Sequence, residues 1–259
     1  MTTAASPTPA AVDLTGQIAL VTGASSGLGH RFARVLAAHG ADVVAAARRT
    51  DKLADLAAEI ESAGGRCHPV ALDVTDTEQL MGVFDEVEQV FGTATILVNN
   101  AGIPDAQRAH KMSVDLIDRV LDTNVRGPYI LATDFARRLI ATEQPGRIVN
   151  ISSMAAFDYG GNGAALYSIS KAAVNRMTEA LAVEWSRFHI NVNSIAPGAF
   201  SSEMMDGMLE RVGDITQHFP RKRLGQPEQM DSTLLYLCDP ASACVTGTVV
   251  KIDDGQGTR

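Results

Sequence analysis

The chain has 259 residues, of which 46% are hydrophobic, and its formal net charge is −8 at pH 7. This length fits one α/β domain or two small ones, and the acidic balance argues against nucleic acid or an anionic membrane as a partner. No apolar run approaches the roughly 20 residues that span a bilayer, so no membrane partner is expected.

Residues 1–12 are rich in Ala, Thr and Pro, and they lack the basic start and apolar centre of a signal peptide. We interpret them as a disordered N-terminal extension that precedes a single domain over residues 13–259. The cysteines Cys67, Cys238 and Cys244 have no paired or metal-ligand spacing. They predict reduced thiols, no metal site and a cytoplasmic protein.

Short apolar segments alternate with longer helical patterns along the domain. Strands are predicted near 17–22, 42–47, 67–72, 95–99, 147–152, 190–195 and 247–252. Helices are predicted near 27–39, 51–63, 76–91, 113–141, 164–188 and 228–237. This alternation indicates right-handed βαβ units. The predicted fold class is α/β, a single Rossmann-type doubly wound parallel sheet of about seven strands with helices on both faces.

A glycine-rich turn, Thr22–Gly29, joins the first strand to the first helix with the spacing Gly-x-x-x-Gly-x-Gly. Its glycines let the backbone turn tightly and approach a pyrophosphate, which would lie at the positive end of the helix. The turn therefore predicts a dinucleotide site. The alternative is a βα turn that binds no ligand.

The end of the second strand bears on the choice of dinucleotide. A carboxylate that binds the ribose diol of NAD would stand near Ala47, and there is no acid there. Arg48 follows and can pair with the 2′-phosphate of NADP, with a further hydrogen bond from Ser25. These residues favour NADP, with NAD as the other possibility. In the alternative interpretation, Arg48 and Arg49 are solvated residues at the start of a helix.

Two further patterns carry polar chemistry. Ser152 and Ser153 stand at the end of a predicted strand, and the carboxyl end of a strand faces the ligand crevice of a parallel sheet. Tyr167 and Lys171 stand four residues apart, which places them on one face of a helix. A nearby cation favours the phenolate, so the pair predicts a Tyr167 pKa below the usual value of about 10 and a role in proton transfer. The alternative is an ordinary surface helix face.

The segment 199–224 interrupts the βα alternation and contains an amphipathic helical pattern. Its apolar face carries Met204, Met205, Met208, Leu209 and Val212, and its acidic face carries Glu203, Asp206 and Glu210. Methionines form an adaptable apolar wall, so we expect a mobile substrate lid. An ordinary surface helix is the alternative.

Taken together, these motifs resemble the classical short-chain dehydrogenase/reductase family over residues 14–255. The resemblance also rests on Asp73, Asn99–Gly102, Pro197–Gly198 and the closing segment Val250–Gly255. It implies hydride transfer between a nicotinamide and a small carbonyl or alcohol substrate.

By that resemblance, Tyr167 exchanges the proton with the substrate oxygen, and Lys171 lowers its pKa and hydrogen-bonds the nicotinamide ribose. Ser153 holds the substrate oxygen, with Ser152 as the rival, and Asn124 anchors a water that leads from Lys171 to solvent. The residues expected to line the cofactor are Gly23, Ser25, Ser26, Gly27, Leu28, Gly29, Arg48, Asp73, Val74, Asn100, Ala101, Gly102, Tyr167, Lys171, Pro197, Gly198 and Phe200.

The expected function is NADP-dependent interconversion of a ketone and a secondary alcohol, similar to the 3-oxoacyl-carrier-protein reductases. Glu143 and Phe188 stand about where those enzymes hold basic residues that dock the carrier, so a small ketone, a sterol-like ketone or a sugar remains open. The alternatives are an NAD-dependent alcohol dehydrogenase of this family and a non-catalytic dinucleotide sensor. The resemblance also implies a homotetramer, with a dimer as the alternative. In that family the helices that carry Asn124 and Tyr167 form the dimer faces, and the carboxyl-terminal strand region often completes a tetramer.

Overall fold

The computed structural model describes residues 12–161 and 163–257. The predicted N-terminal extension lies outside the described residues, apart from Val12. In the described part, the strands are β1 Ile18–Thr22, β2 Asp42–Ala47, β3 Arg66–Ala71, β4 Ile96–Asn99, β5 Gly146–Ile151, β6 Ile190–Pro197 and β7 Val249–Ile252. The helices are α1 Gly27–Ala38, α2 Thr50–Ser62, α3 Thr77–Val90, α4 Val114–Leu121, α5 Gly127–Ala141, α6 Ala165–Trp185, α7 Glu203–Val212 and α8 Asp231–Cys238.

All seven strands described form one parallel sheet in the order β3-β2-β1-β4-β5-β6-β7. Successive side chains of a strand point to opposite faces, and both faces are apolar. Val21 of β1 packs in the cluster that contains Phe32 of α1, whereas Leu20 packs in the cluster with Phe84 of α3. The predicted α/β fold class is confirmed.

The strand order reverses at β1, which has β2 on one side and β4 on the other. In doubly wound sheets, ligands bind outside the carboxyl ends of the strands at such a switch point. The glycine-rich turn follows β1, and Asn100–Gly102 follows β4. Both segments therefore meet at this crevice.

The predicted continuous helix over 113–141 is wrong in one respect. It is interrupted by a π-helical segment, Asp122–Arg126, between α4 and α5. Pro128 is in the first turn of α5, and it has no N–H to donate to the carbonyl of Asn124, four residues earlier. The series of α-helical hydrogen bonds is therefore broken at Asn124. Such π segments inside helices often occur at functional sites.

No helix among the described residues is long and apolar enough to cross a membrane.

Candidate active site

Tyr167 and Lys171 lie on one face of α6, in its first two turns. Lys171 is only 4% exposed, and its Nζ donates a hydrogen bond of 2.8 Å to the carbonyl of Ile151 at the end of β5. The same Nζ lies 5.7 Å from the centroid of the Tyr167 ring. The helix thus brings a phenol and an ammonium together at the carboxyl edge of the sheet.

The two neighbouring serines face different surroundings. Ser152 is buried, and its hydroxyl donates to the carbonyl of Lys171 at 3.1 Å. Ser153 is partly exposed, and its Oγ accepts from the N–H of Ala155 at 3.1 Å. Because Ser152 is committed to the helix behind it, Ser153 is the serine whose hydroxyl is available on the crevice side.

Burial controls the charge states of the pair. It raises the pKa of the Tyr167 phenol, a hydrogen bond with Ser153 lowers it, and the charge of Asp105 raises it further, so the net direction is upward. Burial also lowers the pKa of Lys171 to about 8. The expectation of a Tyr167 pKa below its usual value is therefore wrong for this structure, because desolvation of the phenol outweighs the lowering by Ser153. The phenol is the stable form at neutral pH.

Asn124 lies in the π segment and is buried beside this pair. Its side chain forms two hydrogen bonds with the backbone of Ile103: Oδ1 accepts from the N–H at 2.9 Å, and Nδ2 donates to the carbonyl at 2.9 Å. Nδ2 also donates to Ser170 Oγ at 3.0 Å. A Cβ added to Gly102 would lie 3.3 Å from Lys171 Nζ and 3.4 Å from Asn124 Oδ1. The loop after β4 is thus held against both side chains.

Asp105 is a residue of this site that the sequence analysis missed. It is 3% exposed, and its Oδ2 accepts from the N–H groups of Leu166 at 2.9 Å and Tyr167 at 3.1 Å. The N-cap residue of α6, Ala164, offers no side-chain acceptor, so a carboxylate from 61 residues away caps the helix instead. No local pattern in the sequence reveals such a distant cap.

The glycine-rich turn has the geometry of a phosphate cradle. Gly23 and Gly27 have φ angles of +67° and +54°, and a Cβ at Gly23 would lie 2.8 Å from the Asn100 side chain. Ser26 is the N-cap of α1 but makes no side-chain capping bond, so its hydroxyl leaves the first-turn N–H groups open to an anion. These features fit the pyrophosphate of a dinucleotide.

Asn100 fastens this cradle to the end of β4. Its Nδ2 donates to the carbonyls of Thr22 at 2.9 Å and Gly23 at 3.3 Å, while Thr22 Oγ1 accepts from the N–H groups of Asn100 and Ala101. The Asn100 amide therefore holds the turn in its shape.

On the far side of β1, the Asp73 carboxylate accepts hydrogen bonds from both the N–H and the hydroxyl of Thr75. The pKa of Asp73 is lowered overall: burial raises it, but the Thr75 hydrogen bonds and the charge of Arg48 lower it more. Arg48 is exposed, and its charge acts on the Asp73 carboxylate. Arg49, which the sequence analysis did not select, contacts the glycine-rich turn: its Nε donates to Ser25 Oγ at 3.1 Å, and its Nη2 donates to Ser26 Oγ at 2.6 Å. The two arginines therefore lie on different parts of the crevice mouth.

The remaining predicted cofactor residues lie around the same edge. Val74 is buried beside Gly127, and Leu28 is partly buried in α1. Pro197 ends β6, and the Gly198 N–H donates to the Ile252 carbonyl at 2.8 Å. Phe200 is buried and pairs with Gly225 through an isolated bridge, which closes the base of the segment 199–224.

That segment contains the helix α7, as predicted, capped by Ser202, whose Oγ accepts from the Met205 N–H at 3.2 Å. Met204 is exposed, whereas Met205, Met208 and Leu209 are partly buried. The acidic face is exposed. The helix therefore presents apolar side chains beside the crevice.

The arrangement can bind a dinucleotide and move one proton. Tyr167 offers a protonated phenol, Ser153 a hydroxyl beside it, and Lys171 a buried ammonium. Among the residues that the structure describes, no group of three His, Cys, Asp or Glu side chains could hold a metal ion.

The chain is similar to known proteins over most of its length. Residues 17–212 match the profile of the family described as short chain dehydrogenase. The 3-oxoacyl-acyl-carrier-protein reductase FabG of Thermotoga maritima is 34% identical over 243 residues, which is 93% of this chain and 98% of that protein.

Solved structures share the fold as well. A short-chain type dehydrogenase/reductase from Mycobacterium marinum has a TM-score of 0.92 at 35% identity, and the match covers 95% of this chain and 98% of that one. A chain from Beutenbergia cavernae, provisionally named an NAD(P)-dependent gluconate 5-dehydrogenase and solved with NADP at low occupancy, has a TM-score of 0.87 at 36% identity. That match covers 94% of this chain and 98% of the other.

Proposed function

This chain belongs to the short-chain dehydrogenase/reductase family, and on that premise we propose that it interconverts a ketone and a secondary alcohol with NADP as the hydride carrier. The family makes it an oxidoreductase acting on CH–OH and C=O groups. The single observation that carries the proposal is the grouping of Tyr167, Lys171 and Ser153 at the carboxyl edge of the sheet, beside the glycine-rich turn.

In the proposed reaction, bound NADPH would supply the hydride to the substrate carbon in reduction, and NADP⁺ would accept it in oxidation. Ser153 Oγ donates a hydrogen bond to the substrate oxygen, and Tyr167 Oη delivers the proton to that oxygen during reduction or removes it during oxidation. The raised pKa of Tyr167 suits the reductive direction, because the donor must be protonated. Lys171 and Asn124 orient the helix and the loop against which the substrate and ribose would lie.

Two features support NADP over NAD. Ala47, at the end of β2, offers no carboxylate to a ribose diol, and Arg48 and Arg49 follow it. Arg49 already contacts the glycine-rich turn, and a relative of this fold was solved with NADP. We assign Arg48 and Arg49 as the cations that would meet a 2′-phosphate.

The substrate is proposed to be a carbonyl compound with an apolar part. Phe157 and Tyr159, in the segment after Ser153, and Met204, in the lid helix α7, are exposed large apolar side chains. We propose that the segment 199–224 is the substrate lid and that its methionines contact this part of the substrate. Two relatives described above are named for a 3-oxoacyl-acyl-carrier-protein and for gluconate, so both chemistries belong in a substrate screen.

The direct test is NADPH oxidation at 340 nm with a panel of ketones that includes 3-oxoacyl thioesters, cyclic ketones and keto sugars. Turnover of any of them supports the proposed reaction. Binding of NADPH without turnover of any ketone, and without NADP reduction by the matching alcohols, would favour a dinucleotide sensor instead.

The charge of Asp105 is expected to shift the pH dependence of the reaction. Burial is the largest cause of the raised Tyr167 pKa, and the negative charge of Asp105 raises this pKa further. Asp105→Asn keeps an oxygen that can accept from Leu166 and Tyr167 but removes the charge, so the phenolate forms at lower pH. The acidic limb of the kcat/KM profile for alcohol oxidation should move to lower pH. Asp115→Asn, at an exposed acid of α4, should leave it in place; equal profiles for all three proteins would exclude this role.

We propose a cytoplasmic homotetramer, with a dimer as the alternative. The helices α4, α5 and α6 carry exposed apolar side chains at Val114, Tyr129, Ile169 and Val183, which a subunit interface would bury. Light scattering at micromolar concentration should give about four times the 27.4 kDa chain mass. A 27.4 kDa particle would contradict this assembly.

A further inference from the structure

The guanidinium of Arg49 joins two segments that are far apart in the sequence. Besides its bonds to Ser25 and Ser26, its Nη1 donates to Glu203 Oε1 at 3.3 Å and its Nη2 donates to Glu203 Oε2 at 3.1 Å. Glu203 is the first residue of α7 and lies 154 positions after Arg49. The lid helix is therefore fastened to the phosphate cradle through one side chain.

This contact uses nearly all the donors that Arg49 has. An arginine side chain has five N–H groups, and four are engaged by Ser25, Ser26 and the two oxygens of Glu203. The hydrogen bond to Arg49 also holds the pKa of Glu203 below its usual range, although burial acts in the opposite direction. An anion that arrived at Ser25 and Ser26 would find this guanidinium already bound to a carboxylate.

We propose that Glu203 and Arg49 form a latch in which the lid helix competes with the 2′-phosphate of the dinucleotide for the Arg49 guanidinium. This inference rests on the proposed use of NADP. Glu203 then lowers the affinity for a 2′-phosphorylated ligand, and binding of that ligand releases the amino end of α7. The residue thus determines cofactor affinity from the lid.

Electrostatics gives the direction and the size of the effect. A carboxylate and a phosphate at one guanidinium repel each other, so they exclude one another. The side chains of Arg49 and Glu203 are 44% and 65% exposed, and exposed ion pairs are weak. Breaking the pair should therefore change affinity by no more than about fivefold. A latch of this strength can open when a phosphate binds.

The first test measures binding by calorimetry, with adenosine 2′,5′-bisphosphate and 5′-AMP as probes. Glu203→Gln should bind the bisphosphate about three to five times more tightly than the wild type, with 5′-AMP unchanged. Glu210→Gln removes the same charge from an exposed position on the same helix and should match the wild type. In an Arg49→Gln background, Glu203→Gln should give no gain.

The second test follows the lid. Arg211 is exposed in α7, so trypsin cleavage after Arg211, measured by mass spectrometry, reports how firmly the helix is held. Cleavage should be faster in Glu203→Gln than in Glu210→Gln. The bisphosphate should accelerate cleavage of the wild type, whereas 5′-AMP should not.

The outcomes separate the latch from the function on which it rests. If the wild type binds the bisphosphate no more tightly than 5′-AMP, the proposed NADP preference fails and the latch fails with it. If the wild type discriminates but Glu203→Gln behaves like Glu210→Gln in both tests, the latch alone is overturned.

Discussion

Tyr167→Phe is expected to lower turnover of the best ketone by about 10²–10⁴-fold, the range typical of a lost general acid. The substitution removes only the hydroxyl and keeps the ring beside Lys171, so cofactor affinity and the melting temperature should change little. The loss should appear in kcat, because the proton moves in the transition state. Steady-state kinetics with NADPH at 340 nm measures it.

Tyr236→Phe is the matched control, since Tyr236 is an exposed tyrosine of α8 outside the crevice. Its turnover should equal that of the wild type. Near wild-type turnover of purified, cofactor-binding Tyr167→Phe would remove Tyr167 from its proposed role and return the assignment to Ser153 or to solvent.

Wild-type protein is expected to prefer NADPH over NADH by about one to two orders of magnitude in kcat/KM. A charge-assisted hydrogen bond is worth about 1.5–3 kcal/mol net, and each 1.4 kcal/mol is about tenfold. Ala47→Asp combined with Arg48→Gln should reverse the order, because the new carboxylate accepts from the ribose diol and repels the phosphate. Measuring kcat/KM for both cofactors in both proteins tests this.

Ala47 is buried, so an aspartate there can lower stability, and the melting temperature is measured alongside. The single variants Arg48→Gln and Arg49→Gln test the same idea without this complication, and each should reduce the NADPH preference. Arg34→Gln removes an arginine of α1 that pairs with Glu59 and should not affect it. Equal or better use of NADH by the wild type would mean that neither arginine binds a 2′-phosphate and that the cofactor is NAD.

The elements of this fold could be predicted from the sequence because their signals are local. Strands such as β1, β4 and β5 are short apolar runs, and the helices between them have apolar residues at the helical period. Both signals depend on hydrogen bonds and side-chain spacing within a few residues. The turn Gly23–Gly29 was recognisable for the same reason, because its positive φ angles require glycine. The spacing of Tyr167 and Lys171 likewise follows from helix geometry alone.

The break in the helix at Asn124 could not be predicted from local periodicity. The apolar period runs through 113–141 without a gap, and only Pro128 signals that one carbonyl would lack its donor. At this interrupted turn, the Asn124 side chain forms two hydrogen bonds with the backbone of Ile103, which lies 21 positions earlier in the sequence. Periodicity predicted a helix there and could not predict its distortion.

What the sequence by itself determined was the fold class, the position of the cradle and the pairing of phenol and ammonium. The first follows from the alternation of strand and helix patterns, and the other two follow from spacing within a single turn. The tertiary structure alone decided that Asp105 caps α6, that Arg49 lies over Ser25 and Ser26, and that the pKa of Tyr167 rises. Each of these depends on what packs around a group from elsewhere in the chain. Desolvation and long-range contacts depend on every residue that packs around a group. The spacing of Tyr167 and Lys171 in the sequence therefore could not predict them.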